Sequence, residues 1–163
     1  MRVLSANFTR PADTTAYAAG DLVANSTTAA SVAAMQFSKA TDWEGGQFYI
    51  RKVRIKKSAV GVTDCALRLH LYSTNPCTTA PTNGDNGAWA TKIAGYIGAF
   101  DVTVDKVFSD GAQGVGVPTT GVESSGQCDA GSQILYGLLE ARGAYTPASA
   151  EVFTVELEVY PLK

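Results

Sequence analysis

Histidine is nearly missing from this sequence, His70 being its one copy. Cysteine is scarce as well: Cys65, Cys77 and Cys128 are widely spaced, and no Cys-x-x-Cys pair occurs. These shortages remove the donor set of a structural zinc site and the local signatures of thiol catalysis, so neither a metal nor a cofactor is expected. Cys65 falls at the core phase of a strand and reads as a small buried hydrophobe. Cys77 and Cys128 lie in loops rich in Gly, Thr and Pro, where a bridge between them is open after release from the cell. Long apolar runs are missing too. No stretch approaches the roughly 18 residues that cross a bilayer. The opening MRVLSANFTRPADTT carries no apolar segment of a secretory signal, and the expectation is a chain made in a cytoplasm with no membrane partner.

Charge of one sign is not in excess, with 13 Lys and Arg against 15 Asp and Glu. The chain therefore has no global field to draw in nucleic acid, and no nucleic-acid partner is expected. Blocks of Lys, Glu and Leu at helical spacing are also absent, which argues against a helical bundle. Glycine is plentiful, at 16 copies, and Thr, Ser and Ala are common. At 163 residues and 45% hydrophobic content, the chain is sized for one all-β domain with a real core.

The pattern of apolar residues predicts the strands. Around Gln133 to Lys163 two apolar runs flank the loop Arg142 to Pro147. In the second, Phe153, Val155, Leu157 and Val159 alternate with Thr154, Glu156 and Glu158. That is a strand with one dry face. The connection is too short for a crossover helix, so a hairpin is expected. Cys65 to Tyr72 alternates most cleanly, with Leu67, Leu69 and Leu71 inward and Arg68, His70 and Tyr72 outward. From Phe48 to Ser58 the inward parity switches near Arg51 and Lys52, which predicts a β-bulge there. Phe100, Val102 and Val104 mark another strand, Trp89 to Ala94 a helical turn, and Val115, Val117 and Val122 one or two edge strands. Residues 1–36 are dense in Ala and Thr with few large apolar groups, and read as an extended arm with short strands near 22–25 and 32–37. Residues 37–163 then form the domain proper, a β-sandwich of jelly-roll type.

Three segments carry a family resemblance. They are Thr9-Arg10-Pro11-Ala12-Asp13 running to Gly20-Asp21, Leu67-Arg68-Leu69-His70-Leu71-Tyr72, and Tyr136-Gly137-Leu138-Leu139 leading to Tyr145-Thr146-Pro147-Ala148-Ser149. Together they resemble a family of tailed-bacteriophage structural proteins. The resemblance implies a virion protein, foremost a capsid cement or decoration protein on the capsid exterior. Its partner would be the major capsid protein, and copies would assemble as trimers or dimers at symmetry axes. It implies no catalytic residues. A tail-associated module that binds a host-surface glycan is the alternative.

Candidate sites follow from the same residues. Arg51, Lys52, Arg54, Lys56 and Lys57 form the one dense basic stretch, read either as a charged strand edge or as a surface for an acidic partner, such as the Glu156 and Glu158 face of another copy. Arg10 and Tyr17 in the arm and Trp89 in the long loop complete the expected partner-binding set. The arm and the loops 73–95 and 109–131 are expected to make the contacts. Tyr72, Trp89 and Tyr96 could build a stacking platform for a sugar. His70 reads as an outward polar residue. Glu156 and Glu158 share a face at a spacing of about 7 Å, but alternating Glu on a final strand fits a solvated face better than a hydrolase pair. Asn83 to Gly87 has the composition of a calcium loop without its closing Glu. No acid, base and nucleophile stand at informative spacing, and no enzyme is expected.

Overall fold

A computed structural model describes residues 1–77, 83–91, 93–118 and 125–162; the expected edge-strand residue Val122 lies outside them. Ten strands form: β1 (Arg2–Thr9), β2 (Leu22–Val23), β3 (Met35–Phe37), β4 (Gln47–Lys57), β5 (Ala66–Tyr72), β6 (Tyr96–Phe108), β7 (Gly111–Pro118), β8 (Ser125–Gln127), β9 (Leu135–Ala141) and β10 (Val152–Pro161). They make one strongly curled antiparallel sheet in the order β1-β10-β4-β7-β6-β5-β9-β2, with β3 also on β9 and β8 on β4. The all-β expectation holds. Curling brings the inward residues of β10 and β4 (Val155, Leu157, Val53, Ile55) into one core with those of β5 and β9 (Leu67, Leu69, Leu135, Leu139). Burying such side chains is the main driving force of the fold, at roughly 25 cal/mol per Å² of apolar surface.

The expected bulge in β4 is present. Lys52 faces Glu158 while Ile50 faces Val159, so Arg51 is the extra residue. It resets the parity: Phe48 and Ile50 are buried before it, Val53 and Ile55 after it. The sheet turns its corner between β6 and β7. There Gly114 and Gly116 lie directly against the Thr103 and Asp101 carbonyls and Val102, with no room for a side chain.

Three expectations are corrected. β9 and β10 do not form a hairpin, because β9 pairs with β5, β3 and β2 whereas β10 pairs with β1 and β4. Residues 142–151 instead cross the end of the core. Arg142 N–H donates to Ala66 O beside β5, and Glu151 O accepts from Arg10 N–H beside β1. Buried Tyr145 and Glu151 fill the crossing. Nor are residues 1–36 an arm. β1 pairs with β10 along its whole length, with Leu4 buried and Ala6 and Phe8 packed on the core. Beyond it Leu22, Ala24, Val32 and Ala34 join Leu138 in a second, smaller apolar cluster. The stretch from Trp89 to Ala94 contains no helical turn among its described residues.

Candidate functional site

Most of the conspicuous polar residues are engaged within the chain. Arg10, expected at a surface, has its side chain fully buried. Its Nε donates to Tyr17 Oη at 2.9 Å and its Nη2 to Asp85 Oδ2 at 3.0 Å, while Tyr17 Oη donates to Asp85 Oδ1 at 2.7 Å. Ala24 N–H also donates to Asp85 Oδ1. Desolvation pushes the Asp85 carboxyl above its ordinary range, against the pull of these donors and Arg10. The calcium-like loop 83–87 is thus stapled inward through Asp85, and Tyr17 is no more available to a partner than Arg10.

A second buried pair lies beside the first, on the crossing segment 142–151. Lys57 Nζ donates to Glu151 Oε1 at 2.8 Å, to Tyr145 Oη at 2.8 Å and to Ala59 O at 2.9 Å. Tyr145 Oη donates to Glu151 Oε2 at 2.5 Å. The rest of the basic stretch finds its acidic partner on its own neighbouring strand. Lys52 and Arg54 meet Glu158 at 3.1 and 2.6 Å, and Lys56 meets Glu156 at 2.5 Å. Hydrogen bonding from Lys52 first, then Arg54, holds the Glu158 carboxyl below its ordinary range. Lys57 is thus withdrawn from the expected docking surface, whereas Lys52, Arg54 and Lys56 stay partly exposed while paired within the chain. β10 lies beside β4 with Glu156 and Glu158 on the same outward face, so the charges cancel across the ladder. Arg51, set apart by the bulge, stays exposed, and Tyr160 beside it raises its pKa.

The other half of the sheet turns the outward face of β5, β6 and β9 to its own set of polar and aromatic residues. The register sets His70 beside Ala99 and Leu138, Arg68 beside Asp101 and Glu140, and Tyr72 beside Tyr96 and Tyr136. The Trp89 ring stacks on His70 with centroids 4.0 Å apart and planes 18° apart. His70 Nε2 bonds Glu140 Oε2 at 2.8 Å, and its Nδ1 meets Tyr96 Oη at 3.2 Å. Burial under the indole depresses the His70 pKa, although Glu140 pulls the other way. Tyr72, expected outward, is covered: its Oη bonds Thr91 and its ring meets the edge of Tyr96 at 5.3 Å. Tyr96 itself is 40% exposed.

Next to this cluster Arg68 and Asp101 form a two-pronged pair, Nε to Oδ1 at 2.6 Å and Nη2 to Oδ2 at 2.8 Å. The Arg68 hydrogen bonds hold the Asp101 carboxyl below its ordinary range. They stand in an open hollow of about 330 Å³ with Ala66, Thr103 and Arg142. A neighbouring hollow of about 440 Å³ shares Asp101 and Thr103 and reaches Gln113 and Val117 on β7. Beyond it only the β6 side of the β6–β7 hairpin end is exposed: Val107 is 52% and Phe108 55% exposed, whereas their partners Ala112 and Gly111 on β7 are buried, Ala112 being paired with Lys57 of β4.

Trp89 and Tyr96 are therefore brought together around His70 with Tyr72 buried against Tyr96, while Arg10, Tyr17 and Lys57 are withdrawn from the surface. Glu140, Asp101, Asp85 and Glu151 were missed in the sequence. Their partners stand many positions away and become visible only once strand register is known. The three thiols are unpaired: Cys65 and Cys128 are buried in the main core, and Cys77 packs near Trp89 in the smaller cluster. Burial pushes the Cys65 thiol up to about 12.

No family model matches the chain, and no curated protein matches it. Among solved structures it is similar to the carbohydrate-binding and catalytic modules of a Clostridium thermocellum endo-1,4-β-D-xylanase complexed with xylohexaose, at 14% identity and a TM-score of 0.37. That match covers 98% of this chain but only 26% of the xylanase chain. It is also similar to the decameric BFDV capsid protein, at 12% identity, a TM-score of 0.31 and coverage of 99% of this chain and 98% of that one. The third similarity is to the PRD1 vertex protein P5, at 13% identity, a TM-score of 0.31 and coverage of 99% and 96%. These likenesses are distant ones of fold to viral capsid and vertex proteins and to a chain with a carbohydrate-binding module.

Proposed function

We infer that this chain is a non-enzymatic structural protein of a virus particle, a jelly roll that attaches to the capsid exterior through the end of its β6–β7 hairpin. The order of strand pairing carries this reading. β1 pairs with β10, β3 with β9, β4 with β7 and β5 with β6. First-with-last nesting of this kind arises when one long hairpin is wound around a core, as in a double Greek key. The buried ionisable groups support a structural rather than a catalytic role, since Arg10, Asp85, Lys57 and Glu151 each face a partner that anchors a crossing segment. The resemblance of the segments around Arg10, Leu67 to Tyr72 and Tyr136 to Ser149 to tailed-phage structural proteins points to a cement or decoration role. The major capsid protein is then the partner.

The contact surface is assigned to the exposed pair Val107 and Phe108 at the hairpin end, in place of the N-terminal segment. Val107 and Phe108 offer a small wedge free of the core. A single such contact is weak, but a symmetric oligomer presents several copies to one lattice and gains from each. The test is co-sedimentation of the purified protein with shells stripped of it. Wild-type protein is expected to pellet with the shells, and a Val107→Ser/Phe108→Ser variant with an unchanged melting temperature is expected to stay in the supernatant. Full decoration of shells by that variant would exclude the hairpin end as the point of attachment.

A further inference from the structure

We propose that the outward face of β5 and β6, from Trp89 and Tyr96 to Arg68, Asp101 and Thr103, is a binding site for an extended, uncharged polysaccharide chain. The site shares no residue with the hairpin end Val107–Phe108 and stands apart from the attachment reading.

The hollow beside Arg68 and the one beside Gln113 adjoin through Asp101 and Thr103, which makes an open trough rather than an enclosed pocket. An enclosed pocket suits a compact ligand; a trough suits a chain laid in from the side. The hollows cross β5, β6 and β7 from Arg68 to Gln113, and along β6 the step from Asp101 to the Tyr96 ring covers about 16 Å at ordinary strand rise, long enough for a few sugar units.

Sugars present hydroxyl pairs around their edge and C–H surfaces on their faces. Arg68 uses one direction on each Asp101 oxygen, and a carboxylate has about four lone-pair sites, so outward-facing acceptors remain. The Asp101 side chain is 48% exposed, leaving those acceptors open to hydroxyl donors. A guanidinium and a carboxylate in one plane form a rigid two-pronged array, suited to neighbouring hydroxyls.

Tyr96 shows an exposed ring while its hydroxyl is tied to His70, and Trp89 is pinned by stacking on the same imidazole. His70 is itself held by Glu140, and Glu140 by Arg142 at 2.9 Å. Rings fixed before binding lose little entropy when a ligand arrives. The charges of this face, Arg68 and Arg142 against Asp101 and Glu140, offset one another. They create no basic track for nucleic acid or an anionic glycan.

The experiment is native gel electrophoresis of the full chain through gels cast with xylan, mixed-linkage β-glucan, galactomannan or dextran, and separately with heparin. Retardation by at least one neutral polymer is expected. Tyr96→Ala and Asp101→Asn are each expected to weaken it about tenfold, a loss in the range of one aromatic or charged contact. Each variant is checked for an unchanged melting temperature, and Phe108→Ser serves as the control that retains full retardation. The proposal is overturned if no neutral polymer retards the chain, if heparin alone does, or if folded Tyr96→Ala and Asp101→Asn both run like wild type.

Discussion

Lys57 shows how a single position can mislead when it is read from its neighbours in sequence. It ends a run of basic residues and carries the same charge, yet its side chain is fully buried and spent on Glu151, Tyr145 and Ala59. A buried pair of this kind is costly to break from one side, because the remaining charge has no water to return to. Lys57→Met is therefore expected to destabilise the protein by about 3–5 kcal/mol in urea unfolding. Lys57→Met/Glu151→Leu should recover a large part of that loss, and equal losses in the single and double variants would show that packing rather than charge dominates there. His70 makes a pH prediction. Its folded pKa is depressed, so the unfolded chain takes up the proton more readily. The stability that neutral His70 contributes is full above the ordinary histidine pKa of about 6.5 and is lost as pH falls through the folded value. Wild-type melting temperature should accordingly drop more between pH 7.5 and 5.5 than that of His70→Gln, and parallel drops would refute the assignment.

Among the elements, those specified by local pattern were legible and those specified by distant pairing were not. The alternation in Leu67, Leu69 and Leu71 and in Phe153 to Val159 reported strands and inward faces directly, and the parity switch at Arg51 located the bulge. The proposed β9–β10 hairpin failed because a ten-residue link reads alike whether it turns back or crosses the core. Only the burial of Tyr145 and Glu151 distinguishes the two. β1 was hard to recognise because Ala6 and the half-covered Phe8 make a weak inward row beside Leu4. The candidate site divides in the same way. Tyr72, Trp89 and Tyr96 were named from sequence as one platform, whereas the Arg68–Asp101 and His70–Glu140 pairs depend on register between β5, β6 and β9. The corner at β6–β7 is a further test of elements. A side chain at Gly114 would run into the Thr103 carbonyl and Val102, so Gly114→Val should cost at least as much as overpacking a core, about 1–3 kcal/mol. A melting temperature within 1 °C of wild type, read against the roughly 2–4 °C per kcal/mol expected at this size, would mean the corner can relax.

At the scale of the whole molecule, the buried polar groups act as staples that hold long crossings and loops onto a curled sheet, and two outward surfaces are assigned to partners. One is the exposed pair Val107 and Phe108 at the hairpin end, the other the face that carries Tyr96 and the trough beside Arg68. A core mutation should be felt by both surfaces together, since one apolar cluster underlies the two halves of the sheet. Leu157→Ala, at full burial, is expected to cost about 2–5 kcal/mol and to lower shell attachment and polymer retardation in parallel. The claim that joins these pieces is that the chain is an exterior component of a virus particle. Immunogold electron microscopy of intact particles, with an antibody raised against the purified chain, addresses it most directly. Gold distributed over the outer shell is the predicted result, and particles that carry no gold, or carry it on the tail alone, would contradict the account.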